Sequence, residues 1–455
     1  MAIFNFSSLY SGSDWLTNVR LVTDAHGHIT SIDCDVSFGA SDVVLGPAIP
    51  AMQNVHSHAF QRAAVGLTEY KKSASEDFWS WRKAMYGIAA QLTPDRLNAI
   101  AKGLYLEMVK AGYSGVGEFH YLHNAHMDQS LDMSMAILKA ASEVGIAVTH
   151  LPVFYQYAGF GKKAAEEGQQ AFVHSAEDFI RFWHILKGRV DGNNRLGVAF
   201  HSLRAVDAAD IAGMLEKLPA SIPCHVHIAE QTAEVEAAVA FTGKRPVELL
   251  FDHVPVDEDW TLIHATHLND AEITAIAESG AVVGVCPTTE ANLGDGIFPA
   301  SQFSRRGGRM AIGSDSHISV DPREELRLLE YSQRLTRRQR TILVGRHSGH
   351  VGEYLWRESA INGAQSLGQP CGALEVGKRA DLLVLDDTDM AYAGVRYGQI
   401  FDALVFAGQP NPIRHVMIGG NWVVENGRHA KEEAIISDYR AAVQEIIRML
   451  ESEDA

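Results

Sequence analysis

Cysteine is scarce in this chain. Four residues, Cys34, Cys224, Cys286 and Cys371, are scattered over 455 positions with no C-x-x-C pair. That spacing speaks against a disulfide framework and predicts reduced thiols, most of them core residues of a cytosolic protein. Basic residues are also in deficit. Lys and Arg number 39 against 56 Asp and Glu, a formal net charge of −17. Nucleic acid and anionic membrane both demand basic surface, so neither is an expected partner. A small anionic substrate stays open, because it answers to local arginines. No apolar run is long enough to span a bilayer. The start, Met1-Ala2-Ile3-Phe4-Asn5-Phe6, lacks a basic region and a long apolar region, so no signal peptide is expected and the cytoplasm is the default location. Internal repeats and low-complexity segments are absent as well.

What remains is a chain with 46% hydrophobic and 21% charged residues, the balance of a folded globular protein. Its length predicts one large domain with a smaller one. Both ends read as short strands and turns. Val19-Arg20-Leu21-Val22 and Ile29-Thr30-Ser31-Ile32 flank a turn at Asp24-Ala25-His26-Gly27, which predicts a hairpin. Ala380 to Leu385 and Val416 to Val424 repeat that texture near the other end. Residues 1–48 and 369–455 are therefore expected to pair into one small β domain. An amphipathic helix from Lys431 to about Glu451 closes the chain, with Ile435, Tyr439, Val443, Ile446, Ile447 and Leu450 on one side.

Between the ends, residues 49–368 alternate apolar runs with helical stretches. The runs are Pro50–His56, Ser114–Phe119, Ala147–Phe154, Arg195–Phe200, Ile222–His227, Thr261–His264, Ala281–Cys286 and Arg309–Ile312. Thr93-Pro94-Asp95 opens one helix with a cap and a first-turn proline, and Ser175-Ala176-Glu177-Asp178 resembles a capping box. Eight strands alternating with helices predict an α/β fold, a (β/α)8 TIM barrel. A doubly wound open sheet is the alternative, but the glycine-rich phosphate turn it wants after the first strand is missing. The polar, glycine-containing stretch Gln156 to Gln170 follows the third strand and reads either as a mobile lid or as a plain surface loop.

Barrel enzymes place their chemistry where strands end. Here the ends carry imidazoles and carboxylates: His56-Ser57-His58, Glu118-Phe119-His120-Tyr121, His201-Ser202-Leu203-Arg204, His225-Val226-His227-Ile228-Ala229-Glu230, His264-Ala265-Thr266-His267 and Gly313-Ser314-Asp315-Ser316-His317. Side chains alternate along a strand, so His56 and His58 share a face and can reach one metal.

With those residues in view, the sequence resembles the amidohydrolase superfamily in its mononuclear deaminase branch. The likeness spans essentially the whole chain, from Pro50…His56-x-His58 through His227-x-x-Glu230, His264 and Gly313-Ser314-Asp315 to Gly377-Lys378-Arg379-Ala380-Asp381-Leu382. The resemblance implies one divalent metal per subunit, zinc first and iron(II) second, on His56, His58, His227 and Asp315. Binuclear members carry a bridging lysine after the fourth strand; Ala199-Phe200-His201 stands there instead. A bound cation can lower the pKa of water from 15.7 to about 7. Asp315 can then accept a proton, His264 can orient the water and stabilise charge, and Glu230 can carry a proton to the substrate nitrogen. Its bland role would be a helix N-terminal carboxylate.

Longer words narrow the likeness to the formimidoylglutamate deiminase family of histidine catabolism: His56-Ser57-His58-Ala59-Phe60-Gln61-Arg62, Phe200-His201-Ser202-Leu203-Arg204-Ala205-Val206, Cys224 to Gln231, and Thr289-Glu290-Ala291-Asn292-Leu293-Gly294-Asp295-Gly296. The resemblance implies that Gln61, Tyr121, His201 and Arg204 contact a dicarboxylate substrate, with Arg82 added. Arginine forks match carboxylates bidentately. The reaction implied is hydrolysis of N-formimidoyl-L-glutamate to N-formyl-L-glutamate and ammonia. A related deaminase acting on a purine, pyrimidine or other amidine is the second reading, and a catalytically silent barrel the third. A homodimer is expected. The stretch Thr289 to Pro299 is expected to pack as a loop beside the site with no chemistry of its own.

Overall fold

A computed structural model of the chain describes residues 1–12, 14–67, 69, 85–123, 127–345, 348–408 and 410–453. Among them run eighteen strands in two sheets. The chain opens with β1 (Ala2–Ser11), β2 (Asp14–Thr23), β3 (Ile29–Asp33), β4 (Val44–Leu45) and β5 (Ala48–Pro50). The predicted hairpin is antiparallel, with Leu21 opposite Ile32 and Arg20 opposite Asp33.

The barrel follows, with β6 (Met52–Ser57), β7 (Tyr113–His120), β8 (Ala147–Phe154), β9 (Arg195–Leu196), β10 (Val198–Phe200), β11 (Cys224–Ile228), β12 (Trp260–His264), β13 (Val282–Val285) and β14 (Arg309–Ile312). The last four strands are β15 (Leu382–Leu385), β16 (Ile413–Ile418), β17 (Asn421–Glu425) and β18 (Arg428–His429). β15 pairs antiparallel with β5, so the two ends of the chain share one sheet in the order β18-β17-β16-β15-β5-β1-β2-β3.

The second sheet is parallel, in the order β14-β13-β12-β11-β10-β8-β7-β6. Its first and last strands meet at their exits. The Asp315 amide donates to the His56 carbonyl at 3.0 Å, and the His58 amide donates to the Asp315 carbonyl at 3.3 Å. The sheet therefore curls into a barrel, and the doubly wound alternative is excluded.

Two runs are cut differently from their appearance in sequence. The chain leaves the small sheet at Pro50 and enters the barrel at Met52, so Pro50–His56 is not one strand. Arg195–Phe200 is broken at Gly197, where a Cβ would sit 2.4 Å from the Pro223 carbonyl oxygen and 2.7 Å from Leu151. Only glycine permits that approach, and the strand jogs there.

Strands β7 and β8 are buried along their whole length, as strands covered on both faces must be. Thr93 caps the helix Pro94–Ala111 by accepting from the Arg96 amide, and Ser175 caps Ala176–Lys187 by accepting from the Asp178 amide. The C-terminal helix Glu432–Glu453 packs on Pro94–Ala111, where Tyr439 covers Gly103 so closely that a Cβ would lie 2.4 Å from the ring. The foot of the barrel is plugged by the end of the helix Val351–Ser366. The Ser366 carbonyl accepts from His225 Nε2 at 3.0 Å, and the Leu367 carbonyl accepts from the Thr149 hydroxyl at 2.7 Å. With one end plugged, access is left to the end where the strands exit.

Gln156 to Gln170 lies folded against the barrel. The Gln156 and Tyr157 amides donate to the Ala205 carbonyl at 3.0 Å, Gly159 and Lys163 form an antiparallel bridge, and the Gln169 side chain donates to the Tyr155 hydroxyl at 2.7 Å. All four cysteines are free, and Cys34 alone is exposed. Among the described residues no helix is long and apolar enough to cross a membrane.

Candidate metal centre and the cavity beside it

Each predicted ligand stands at a strand exit. His56 closes β6 with Ser57, His58 follows it, His227 is the penultimate residue of β11, and Asp315 follows β14. Their reactive atoms converge. His227 Nε2 is 2.9 Å from His56 Nε2, and Asp315 Oδ1 is 3.3 Å from both His56 Nε2 and His58 Nε2. The outer nitrogens explain the orientation. His58 Nδ1 donates to the Phe119 carbonyl at 2.9 Å, and His227 Nδ1 donates to the His201 carbonyl at 2.9 Å. A carbonyl can only accept, so both rings carry their proton on Nδ1 and turn the Nε2 lone pair inward.

Burial lowers the pKa of His56, His58 and His227, with neighbouring imidazoles adding to it for His56 and His227. The rings are therefore neutral at pH 7, the form that binds metal. Two ring nitrogens 2.9 Å apart, with a carboxylate oxygen 3.3 Å from one of them, are donor atoms placed for a shared cation. Three imidazoles and one carboxylate suit zinc and iron(II) alike. The residues fit a divalent metal.

The backbone is strained where it presents these groups. Ala229, His264, Ala265, Asp315 and His317 all have positive φ, between 45° and 67°. Non-glycine residues in that region cost about 1–3 kcal/mol each and gather at functional sites. Two buried carboxylates brace the turns. Glu118 accepts from the Ser57 hydroxyl at 2.6 Å and the Ala59 amide at 2.8 Å, gripping both neighbours of His58. Burial raises Glu118 to about 7, against the pull of those donors. Glu234 accepts from the Ala229 amide at 3.2 Å and the Glu230 amide at 3.0 Å. The helix Thr232–Thr242 thus receives its N-terminal carboxylate from Glu234. Glu230 itself is left to line the cavity, and burial raises its pKa.

His264 stands beside the cluster, with a ring nitrogen within 4.8 Å of His56 and His227 and its Nε2 3.8 Å from Asp315 Oδ2. Burial works against charge on this ring, but Glu230, Glu290 and Asp315 overcome it and carry it up to about 10. Gln61, Tyr121, His201 and Arg204 line the same cavity as His58, His227, Glu230, His264 and Asp315. The Gln61 side chain donates to the Tyr121 hydroxyl at 2.9 Å. The Tyr121 ring lies edge-on to His58 and to Phe172, at 5.0 and 5.1 Å between centroids. Arg204 Nη1 is buried with no hydrogen-bond partner among the described residues. Arg82 lies outside the described residues.

The expectation for Thr289 to Pro299 needs correction. The stretch opens inside a helix, Pro287–Leu293, which Gly294 ends in the left-handed conformation. That helix buries Glu290 against His264, with 3.3 Å between Glu290 Oε1 and His264 Nδ1. The seventh strand, which offered no site residue on reading the sequence, delivers this one through the helix behind it. Its only signal was a carboxylate early in a polar, glycine-rich word that also carries Asp295.

Comparison with known proteins agrees with the geometry. The Amidohydrolase family model matches residues 48–423. A formimidoylglutamate deiminase of Pseudomonas aeruginosa is 44% identical over 443 residues, covering 96% of this chain and 97% of that protein. A 5-methylthioadenosine/S-adenosylhomocysteine deaminase of Natronomonas pharaonis is 26% identical and covers 83% of this chain and 81% of its own length. Among solved structures, an amidohydrolase from Brucella melitensis superposes with a TM-score of 0.93 at 38% identity, over 98% of this chain and all of that one. The chain belongs to the amidohydrolase family.

Proposed function

We propose that the protein is a metal-dependent deiminase that hydrolyses N-formimidoyl-L-glutamate to N-formyl-L-glutamate and ammonia, a step of histidine degradation. One observation carries the reading. A single cavity is lined by His58, His227 and Asp315, which converge with the buried His56, and also by Arg204, whose Nη1 is buried with no hydrogen-bond partner among the described residues. An amidine carbon and a carboxylate joined by a short chain match that arrangement. The Pseudomonas aeruginosa relative supports the choice of substrate.

His56, His58, His227 and Asp315 would hold the metal, zinc by preference and iron(II) as the alternative. Bound there, a divalent cation supplies a water acidified toward neutral pH and an electrophile for developing negative charge. The protein's own groups do the rest. Asp315 takes the proton released as water adds to the formimidoyl carbon. His264, charged and fixed, donates from Nε2 toward the oxygen of the tetrahedral adduct. Glu230, whose carboxyl burial pushes up, delivers a proton to the amidine nitrogen as water adds and recovers one from the hydroxyl of the adduct. The proton on Asp315 passes to the same nitrogen, so that ammonia departs and the carbon–oxygen bond becomes the formyl carbonyl. Arg204, Tyr121, Gln61 and His201, with Arg82, hold the two carboxylates. A cytoplasmic homodimer is the proposed form, and light scattering on purified protein measures it.

Metal analysis with an ammonia-release screen tests the assignment. N-formimidoyl-L-glutamate is the expected substrate. Ammonia released from guanine, adenosine or cytosine, with none from formimidoylglutamate, overturns it.

A further inference from the structure

Glu290 is a buried carboxylate behind the cavity, in contact with His264, that the reaction above leaves without a task. It is 4% exposed. It sits in the first turn of the helix Pro287–Leu293, directly behind β13. One of its oxygens, Oε1, makes two contacts. It accepts from the Cys286 amide at 2.9 Å and faces His264 Nδ1 at 3.3 Å. The Cys286 bond fixes the carboxylate to the start of its own helix, so the acceptor cannot swing away from His264. The imidazole is thereby held at Nδ1 by Glu290, while Nε2 faces Asp315 Oδ2 at 3.8 Å, beyond hydrogen-bond reach. The residue it holds is strained, with φ of 67°. A ring on a strained backbone needs an external anchor to keep one orientation.

Resting on the deiminase reading, we propose that Glu290 is a positioning residue: it accepts the Nδ1 proton of His264, which fixes the ring so that Nε2 addresses the reacting atoms. The same trio of His264, Cys286 and Glu290 places three donor atoms within 4.8 Å of one another. A second metal there would have to displace both hydrogen bonds at Glu290 Oε1, and the Cys286 thiol, pushed up by burial and surrounding carboxylates, stays protonated. The trio is an anchor for the ring.

Two variants separate the roles. Glu290→Gln keeps an oxygen that accepts from both the Cys286 amide and His264 Nδ1. Glu290→Leu keeps the bulk and removes the acceptor. In metal-loaded protein without substrate, the nitrogen-15 spectrum of the His264 ring is expected to show one Nδ1-hydrogen-bonded state in wild type and Glu290→Gln, and a changed state in Glu290→Leu. In turnover, a misplacement of this kind costs on the order of a hundredfold. The expected loss in Glu290→Leu is of that size and falls on kcat, with KM within about threefold of wild type; Glu290→Gln recovers most of it. An unchanged His264 spectrum in folded Glu290→Leu, or a loss confined to KM, or no recovery in Glu290→Gln, overturns the proposal. The ring spectrum does not depend on substrate. Wild-type protein that leaves formimidoylglutamate untouched while its His264 signals still respond to Glu290→Leu refutes the deiminase reading and leaves the anchor standing.

Discussion

The Nε2 atoms of His56 and His227 face each other at 2.9 Å, although 171 positions separate them in the chain. His227 has committed its proton to the His201 carbonyl, so its inner nitrogen can only accept or ligate. Removing His227 therefore removes one of the four proposed ligands. His227→Asn is expected to lose metal on dialysis against a weak chelator that leaves wild type loaded. Ligand loss lowers affinity and, through linkage, stability: a metal present at 100 times its dissociation constant adds about 2.7 kcal/mol. The metal-to-protein ratio and the thermal midpoint with and without chelator measure both. Equal metal retention by wild type and variant would remove His227 from the ligand set.

Arg204 presents a buried Nη1 with no hydrogen-bond partner among the described residues. A buried N–H without a partner is a ready donor to an anion. Arg204→Met removes the charge while keeping the packing of the stem. Truncating one side of a buried charge pair costs about 2–5 kcal/mol, so kcat/KM for a dicarboxylate is expected to fall on the order of a hundredfold or more, mostly through KM. Arg204→Lys should recover only part, since an ammonium lacks the fork. Steady-state ammonia release decides it. Unchanged KM in Arg204→Met places the carboxylate site elsewhere.

Most of this site could be read from the sequence because barrel geometry writes it there. A strand buried on both faces is an apolar run, and its polar exit residues stand out against it. His56, His58, His227, His264 and Asp315 all fall at such exits. What could not be read sits one element further on. Glu234 and Glu290 lie on helices behind their strands, where a carboxylate is ordinary, and only the folded chain shows what each one touches. The break at Gly197 hides within a run that looks continuous, because the obstructing Pro223 carbonyl belongs to the residue that leads into β11. The positive φ angles at His264 and Asp315 have no sequence signal at all, since neither residue type announces them.

A second group of histidines is buried beside the barrel strands. His120, His123, His150 and His174 are all buried, with ring centroids 5.1 Å apart for His120 and His150 and 4.5 Å for His123 and His174. Burial lowers all four, and His150 falls to about 3. The sign follows from proton counting. Below the ordinary histidine value near 6.5 the unfolded chain takes up protons that the folded chain refuses. Stability is therefore full above that pH and is lost as pH falls from about 6.5 toward 3. Each refused proton contributes up to about 1.4 kcal/mol per pH unit. Urea unfolding between pH 7.5 and 5 is expected to show this decline. His150→Gln removes one of the four without touching a metal ligand, so its slope should be shallower than wild type. Identical slopes in the two proteins would mean that His150 takes no part in the acid response.

The Gly377 to Leu382 word, so useful as a mark of family, serves the join between sheet and barrel. Arg379 and Asp381 are each 2% exposed. The guanidinium donates to both carboxylate oxygens of Asp381, from Nε at 2.9 Å and Nη2 at 2.6 Å, and from Nη1 to the Gln369 side chain at 2.6 Å. Gln369 in turn donates to Thr149 at the entry of β8, and the Gly419 amide donates to Asp381 at 2.9 Å. One ion pair thus ties the end of β16 to the foot of the barrel. Breaking a buried pair by removing one partner costs about 3–5 kcal/mol, because the remaining charge is stranded. Arg379→Met is expected to destabilise by that amount in denaturant unfolding, with the ligands at the opposite end of the barrel still able to load metal. Replacing both partners, as Arg379→Met with Asp381→Leu, should recover part of the loss, since no charge is then left buried. A double variant no more stable than the single one would show that the fork-shaped bonds, and not the stranded carboxylate, set the cost.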